Sequence, residues 1–175
     1  MNIPAASLTI GGLFVGIAIP LWHTSRFAMA NIKNRAGAMK GAVDDLVPLA
    51  AGMAYGGIAT ATTSGLLGFA TGAITWLGNG AGTLAMWGAT GGDADLAVRS
   101  PGYELSGMGN LVLLLLTVVV LGGWKKIPAD WKPRMRVGIV SGVLLGLSAT
   151  LGGAVMATVI PAANNLGSAL VGTIA

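Results

Sequence analysis

Residues 107–124, GMGNLVLLLLTVVVLGGW, contain no charged residue, and apart from the terminal Trp124 their only polar side chains are Asn110 and Thr117. A helix of this length measures about 27 Å at 1.5 Å per residue, close to the roughly 30 Å of a bilayer's hydrocarbon core. The stretch therefore predicts a transmembrane helix. Its bulky aliphatic residues from Leu111 to Leu121 are typical of a helix that faces lipid.

The composition of the whole chain agrees with a membrane protein. Only 9% of its 175 residues are charged and 54% are hydrophobic, whereas soluble domains average about 25% charged residues. A soluble fold of this size could not keep so much apolar surface away from water. All but one of the ten basic residues lie in two clusters, comprising Arg26, Lys33, Arg35 and Lys40, then Lys125, Lys126, Lys132, Arg134 and Arg136.

The basic clusters divide the chain into four apolar stretches. We predict an all-α, polytopic membrane bundle of about four transmembrane helices, at residues 3–22, 46–71, 107–124 and 137–160. Short loops rich in Lys and Arg stay in the cytoplasm. The loops at 23–45 and 125–136 are therefore expected inside, the loop at 72–106 outside, and both termini outside. The first span has no basic residue before it, which favours an uncleaved helix over a signal peptide.

The uncharged stretch 46–92 is too long for one crossing, since as a single helix it would reach about 70 Å. Two crossings would place the basic 125–136 loop outside, against the charge rule. We therefore expect one crossing at 46–71, followed by a re-entrant or interfacial helix near 83–91.

Small residues recur at every fourth position in the second and fourth predicted spans. Such ladders let helix backbones approach closely in lipid. One interpretation is packing within the four-helix bundle, and the other is contact with a neighbouring subunit in a homo-oligomer or larger membrane complex, which we favour slightly. The predicted packing residues are Gly52, Gly56, Thr60, Ser64, Gly68 and Gly72 in the second span, and Gly138, Gly142 and Gly146 in the fourth.

The basic clusters also define a candidate anion-binding surface. Topology and contact with anionic lipid headgroups account for them most simply. A polyanion such as nucleic acid is the alternative, since basic residues next to an aromatic residue are also typical of nucleic-acid contacts. The residues concerned are Arg26, Lys33, Lys40, Lys125, Lys126, Lys132, Arg134 and Arg136.

The sequence offers no catalytic, metal-binding or cofactor-binding signature. It contains no cysteine and one histidine, His23, and a lone histidine forms neither a zinc site nor a catalytic triad. The predicted spans carry no acidic or basic residue, which argues against a proton-coupled pump. We therefore expect a non-enzymatic protein without catalytic residues, metal or cofactor.

Several membrane functions fit these features. We expect first a self-associating integral membrane subunit that forms a pore, or a scaffold ring of a larger envelope or transfer assembly, in a bacterial inner membrane. The glycine-rich composition is typical of a bacterial mobile element or phage. The alternatives are a small-molecule channel or transporter, a holin-type lysis protein, and a membrane component of conjugation or phage DNA transfer.

Overall fold

A computed structural model describes residues 7–31, 35–62, 65–92, 105–148 and 151–174. This part of the chain is all-helical and contains no strand, which confirms the predicted fold class at that level. Six helices follow one another within these described residues: α1 (Ile10–Asn31), α2 (Arg35–Ala59), α3 (Gly65–Thr90), α4 (Gly107–Gly123), α5 (Trp131–Gly146) and α6 (Leu151–Ile174).

Two of the four predicted spans are not continuous helices. The predicted span at 46–71 is interrupted between α2 and α3, and the span at 137–160 is interrupted between α5 and α6. Helix α2 ends with a tight turn, in which the N–H of Thr60 donates to the carbonyl oxygen of Gly57 at 3.3 Å. The periodic small residues did not reveal these interruptions because threonine and serine continue the fourfold spacing there.

The boundaries of the predicted cytoplasmic loops also differ from the structure. Most of residues 23–45 is helical, because α1 continues to Asn31 and α2 begins at Arg35. The 125–136 loop is shorter than predicted, since α5 begins at Trp131. The helix expected near 83–91 is the second half of α3, which runs without interruption from Gly65. By contrast, α4 ends within one residue of the predicted third span.

Helices α2 and α5 run parallel at the centre of the molecule. Leu49 faces Gly138 near one end of the pair, and Gly57 faces Gly146 near the other. Helix α1 runs antiparallel to α5, since Gly16 contacts Leu144 while Leu8 clusters with Leu144 and Leu147. Helix α4 runs antiparallel to α2, with the Tyr55 hydroxyl 3.0 Å from Thr117 Oγ1 and the Leu105 N–H donating to the Ala61 carbonyl.

This arrangement gives the bundle two distinct ends. At the end that we call the capped end, α1 and α4 begin at Ile10 and Gly107, and α2 and α5 stop at Ala59 and Gly146. At the opposite, charged end, Arg134 of α5 pairs with Asp45 of α2.

Helices α1 and α3 are fastened to each other at the capped end. Asn79 in the middle of α3 accepts hydrogen bonds at its Oδ1 from the backbone N–H and the Oγ1 of Thr9, at 3.0 and 3.1 Å. The same Thr9 Oγ1 accepts from the N–H of Gly12 at 3.1 Å. Thr9 therefore caps the first turn of α1 while its donors bind α3.

Helices α4 and α6 repeat this fastening with the same geometry. Asn164 in α6 accepts at its Oδ1 from the N–H and the Oγ of Ser106, again at 3.0 and 3.1 Å. Ser106 Oγ accepts from the N–H of Gly109 at 3.1 Å. Helices α1–α3 and α4–α6 are therefore two copies of one three-helix repeat, with Thr9 corresponding to Ser106 and Asn79 to Asn164.

The parallel pair of α2 and α5 lies on the pseudo-twofold axis between these repeats. A Cβ atom at Gly52 would strike the Met135 carbonyl oxygen, and one at Gly138 would strike the Leu49 carbonyl oxygen. These contacts are reciprocal, because Leu49 precedes Gly52 by three residues as Met135 precedes Gly138. Gly52 therefore corresponds to Gly138, and the axis runs between the two helices.

Two helices in the described part of the chain are long and apolar enough to cross a membrane, with candidate spans at Ile10–Ala30 in α1 and Ala154–Thr173 in α6. The apolar helix Gly107–Gly123 is shorter. By length and composition these findings suggest a membrane association, and they do not confirm the predicted four spans.

Candidate functional site at the glycine seam

A continuous backbone-to-backbone contact follows the axis between the repeats. We call this contact the glycine seam. A Cβ atom at Gly56 would strike the carbonyl oxygen of Ile139, and one at Gly142 would strike that of Met53. The two backbones are in direct contact, so no further helix can pack on these faces. The seam consists of Gly52 and Gly56 on α2 and Gly138, Gly142 and Gly146 on α5.

The other predicted rungs lie elsewhere. Thr60 closes the seam at the capped end, where its Oγ1 donates to the Gly57 carbonyl at 2.6 Å and would lie 2.9 Å from a Cβ atom at Gly146. Gly68 is buried on α3, whereas Gly72 has no neighbouring atom that a Cβ would meet within 4 Å. Ser64 lies outside the described residues. The structure thus divides the first ladder between two helices with different surroundings.

Prolines leave one backbone carbonyl in α1 and one in α2 without a helical hydrogen bond, and side chains of α5 donate to both of them. Pro20 has no N–H to donate to the carbonyl of Gly16 four residues earlier. Ser141 Oγ donates to that carbonyl at 2.7 Å. Pro48 likewise has no N–H to donate to the carbonyl of Asp44, four residues before it in α2.

Arg134 supplies the second of these bonds. Its Nη1 donates to the Asp44 carbonyl at 3.0 Å and to the Asp130 carbonyl at 3.2 Å, and its Nη2 pairs with Asp45 Oδ1 at 2.5 Å. Arg134 therefore holds α5 against the proline-interrupted turn of α2. The pair is partly exposed, with 29% of Arg134 and 38% of Asp45 accessible, so its ionic contribution alone is at most about 1 kcal/mol.

The remaining basic residues do not converge on one site. Arg136 places its guanidinium 5.4 Å from the ring centroid of Trp124, a cation–π distance. Arg26 is exposed on α1, Lys125 and Lys126 are exposed between α4 and α5, and Lys132 is half-buried. Lys33 lies outside the described residues, as does the side chain of Lys40.

A cavity of about 400 Å³ opens beside the glycine seam, between α2, α5 and α6. It straddles the break between α5 and α6, because residues from both sides of the break form its wall. Every lining residue is apolar, so the cavity offers no side-chain hydrogen bond to a ligand. The lining residues are Ala50, Met53, Ala54, Gly142, Leu145, Gly146, Val155, Met156 and Val159.

Asn79 and Asn164 organise the capped end and were not among the predicted site residues. A signal for them exists in the repeated pattern Asn-x-x-Gly-Thr/Ser at 79–83 and 164–168. Gly82 approaches the Gly11 backbone and Gly167 approaches the Met108 backbone, so each glycine lets its helix reach the first turn of α1 or α4. Two short matches in an apolar, glycine-rich chain did not stand out from its composition.

Among the described residues, no group of three or more His, Cys, Asp or Glu side chains is arranged to hold a metal ion. What the geometry provides is a close-packed seam, two breaks in the helices and an apolar cavity beside them. Comparison with known protein families, with curated proteins and with solved structures yields no match to this chain.

Proposed function

We propose that the chain is a non-enzymatic integral membrane protein that binds a small apolar molecule at the repeat axis, as a small-molecule channel or transporter does. The observation that carries this proposal is the cavity at the break between α5 and α6. Transporters built from structural repeats bind their substrates at the repeat interface, next to discontinuous helices. The cavity has the size of ordinary ligand pockets, which measure about 300 to 1,000 Å³.

In this proposal α1, α2, α4 and α5 cross the membrane, and α3 and α6 pack beside the first turns of α1 and α4 at the extracytoplasmic end. The apolar stretch Ala154–Thr173 of α6 is long enough to cross, but in this proposal it packs within the outer part of the bundle. Helix α4 has 17 residues, which give about 25 Å, and a packed layer of helices adds about 10 Å. The total thickness of about 35 Å matches a hydrocarbon core of about 30 Å together with part of the adjoining interface. The charged end then faces the cytoplasm, as the positive-inside rule requires, and both termini lie outside.

The charged end supports a lipid partner. Arg26, Lys125 and Lys126 are exposed there, whereas Arg134 is engaged by Asp45. We propose that the exposed cations bind anionic lipid headgroups of a bacterial plasma membrane, each adding about 1 kcal/mol near such a surface.

The second candidate function is the self-associating scaffold or pore subunit, and α3 is the surface that favours it. Trp76 and Trp87 are 74% and 69% exposed on this helix, and Gly72 and Gly80 have open space where a side chain would project. Small residues beside large apolar ones are typical of helix contacts in membranes. Self-association would use α3, because the glycine seam is already filled. The mass of the nanodisc-embedded particle tests it, and a monomer would rule it out.

The binding proposal is tested with the apolar photolabel 3-(trifluoromethyl)-3-(m-iodophenyl)diazirine on protein in phosphatidylcholine nanodiscs. We expect several-fold more label on the peptide holding Val155 and Val159 than on α4, whose Leu114 and Val118 are 57% and 60% exposed. Equal labelling of the two peptides would refute a binding cavity. Failure of the chain to stay in alkali-washed membranes would refute the membrane location itself.

A further inference from the structure

Arg26 lies apart on α1, but four other cations lie at the turn between α4 and α5 or just after it. Arg134 in the same segment is paired with Asp45, whereas within the described residues no carboxylate pairs with these four. One acidic residue, Asp130, lies between them in the chain. We call the four cations the basic turn, which consists of Lys125, Lys126, Lys132 and Arg136. Their charge is left for a partner outside the chain.

The positions of Lys132 and Arg136 are unfavourable within the protein itself. They are four residues apart, so they share one face of α5 and repel each other. Lys132 also lies in the first turn of α5, where the helix dipole disfavours a cation and no acidic residue offsets it. The positive-inside rule requires cations in this segment, but it does not require two of them on one helix face. An anion bound between the two side chains relieves their repulsion.

Trp124 holds Arg136 in a position from which it can bind such an anion. The guanidinium lies over the indole ring, 5.4 Å from its centroid, and the Arg136 side chain is exposed. The ring covers one face of the planar group and leaves its N–H edges accessible. A guanidinium binds a phosphate through two parallel hydrogen bonds along such an edge. Lys125 and Lys126 follow Trp124 directly in the chain, so three of the four cations lie around one tryptophan.

The surface of α4 beside the basic turn is apolar. Val118 and Leu121 are 60% and 68% exposed, and Leu121 precedes Trp124 by three residues on the same face. Cations next to exposed aliphatic side chains match an amphipathic ligand, whose acyl chains lie along α4 while its anionic group meets the basic turn. A nucleic acid would match the cations only. The surroundings therefore favour a phospholipid over a soluble polyanion.

We infer that the basic turn binds the headgroup of an anionic phospholipid with two phosphates, as in cardiolipin. The inference rests on the proposed membrane location and adds a defined site to the general attraction between exposed cations and anionic lipid. The four cations exceed the single carboxylate of Asp130 by three charges. A headgroup with two phosphodiesters offsets two of these charges, whereas a headgroup with one offsets only one. Basic pockets at the cytoplasmic ends of transmembrane helices are typical sites for such lipids.

Native mass spectrometry of the full chain in a neutral detergent tests this site, with cardiolipin, phosphatidylglycerol or phosphatidylcholine added at equal concentration. We expect cardiolipin to bind about fivefold more tightly than phosphatidylglycerol, the effect of about one further ionic contact. Phosphatidylcholine should bind most weakly. Arg136→Gln should lower the affinity for cardiolipin by about fivefold or more. Arg26→Gln removes an exposed arginine of α1 and should leave the affinity nearly unchanged, because a micelle of neutral detergent has no anionic surface.

Arg136→Lys keeps the charge without the planar group and should retain part of the affinity. If Arg136→Gln does not fold, as judged by gel filtration and thermal unfolding, Lys132→Gln takes its place. Equal affinities for cardiolipin and phosphatidylglycerol, or equal losses from Arg136→Gln and Arg26→Gln, would overturn the inference. Tighter binding of a short single-stranded DNA than of cardiolipin would also overturn it.

The outcome is separable from that of the proposed function. A chain that stays in alkali-washed membranes but does not prefer cardiolipin loses only this site. A chain that washes out of the membrane loses the proposed membrane location, on which the lipid site depends. Photolabelling of the cavity between α2, α5 and α6 is unaffected by either arginine substitution, because neither arginine lines that cavity.

Discussion

Ser141 of α5 donates a hydrogen bond from its Oγ to the carbonyl oxygen of Gly16 in α1, with its own side chain completely buried. In the other repeat the corresponding residues are Tyr55 and Leu113. Tyr55 follows Gly52 by three residues as Ser141 follows Gly138, and Leu113 follows Gly109 by four residues as Gly16 follows Gly12. The small pair brings the α1 backbone against α5. The large pair holds α4 away from α2, and contact is made through the Tyr55 hydroxyl instead.

The first prediction concerns this hydrogen bond. Ser141→Ala should lower the free energy of unfolding by about 1 to 3 kcal/mol, because the carbonyl of Gly16 loses its donor inside an apolar bundle. Pro20→Ala restores an N–H four residues after Gly16, so in that background the cost should shrink. Unfolding in mixed detergent micelles measures both. Ser25→Ala, which removes a hydroxyl bonded within α1, is the control. An equal cost in both backgrounds would contradict the explanation.

The second prediction distinguishes glycines by their surroundings. Gly142→Ala should destabilise the protein by about 1 to 3 kcal/mol, because its Cβ would strike the Met53 carbonyl oxygen and force α2 and α5 apart. Gly80→Ala, in open space on α3, should instead stabilise the helix by about 0.5 to 1 kcal/mol. Thermal unfolding followed by circular dichroism compares the two variants. If Gly142→Ala is neutral, the seam is not in close contact.

The third prediction tests the repeat. Asn79→Ala and Asn164→Ala should each cost about 1 to 2 kcal/mol, since each removes the acceptor for two donors of a helix cap. The two losses should be similar because the distances are the same. Asn165→Ala changes an exposed neighbour and should have little effect on unfolding. A large cost from only one of the two variants would show that the repeats are not energetically equivalent.

The fourth prediction concerns topology. The chain has no cysteine, so single cysteines can be placed without removing any other. Lys132→Cys at the charged end should react with a membrane-impermeant maleimide only from the cytoplasmic side. Gly92→Cys, just after α3, should react only from the opposite side. Labelling of both variants from one side in oriented vesicles would exclude the proposed four crossings.

The helix ends show which boundaries a sequence can predict. Helix α4 was predicted within one residue because Ser106 and Trp124 bound an uninterrupted aliphatic run. The ends of α2 and α5 were missed because the residues just after them, at 60–64 and 148–150, are small or hydroxyl residues that carry no charge and no proline to mark a break. Such residues are compatible both with a helix and with a turn that bonds its own backbone. The choice depends on what packs beside the turn, as Leu105 does against Ala61.

The candidate site, too, was predictable from the sequence only in part. The fourfold spacing at Gly52, Gly56, Gly138 and Gly142 marks faces without side chains, but two such faces can meet each other or a second molecule. Only the tertiary structure shows the first of these contacts within the chain. The cavity left no mark in the sequence, because Ala50 and Val159 approach each other only after α6 turns back from its break.

The sequence by itself determined that the chain is helical and apolar, because composition and charge spacing act locally along the chain. It also located one helix, α4, between its cap and its terminal tryptophan. The tertiary structure alone decided where the two glycine-rich helices stop, that they run parallel as halves of a repeat, and that a cavity opens beside them. These features arise from which faces meet in space, and a small residue leaves that choice open because it excludes few partners.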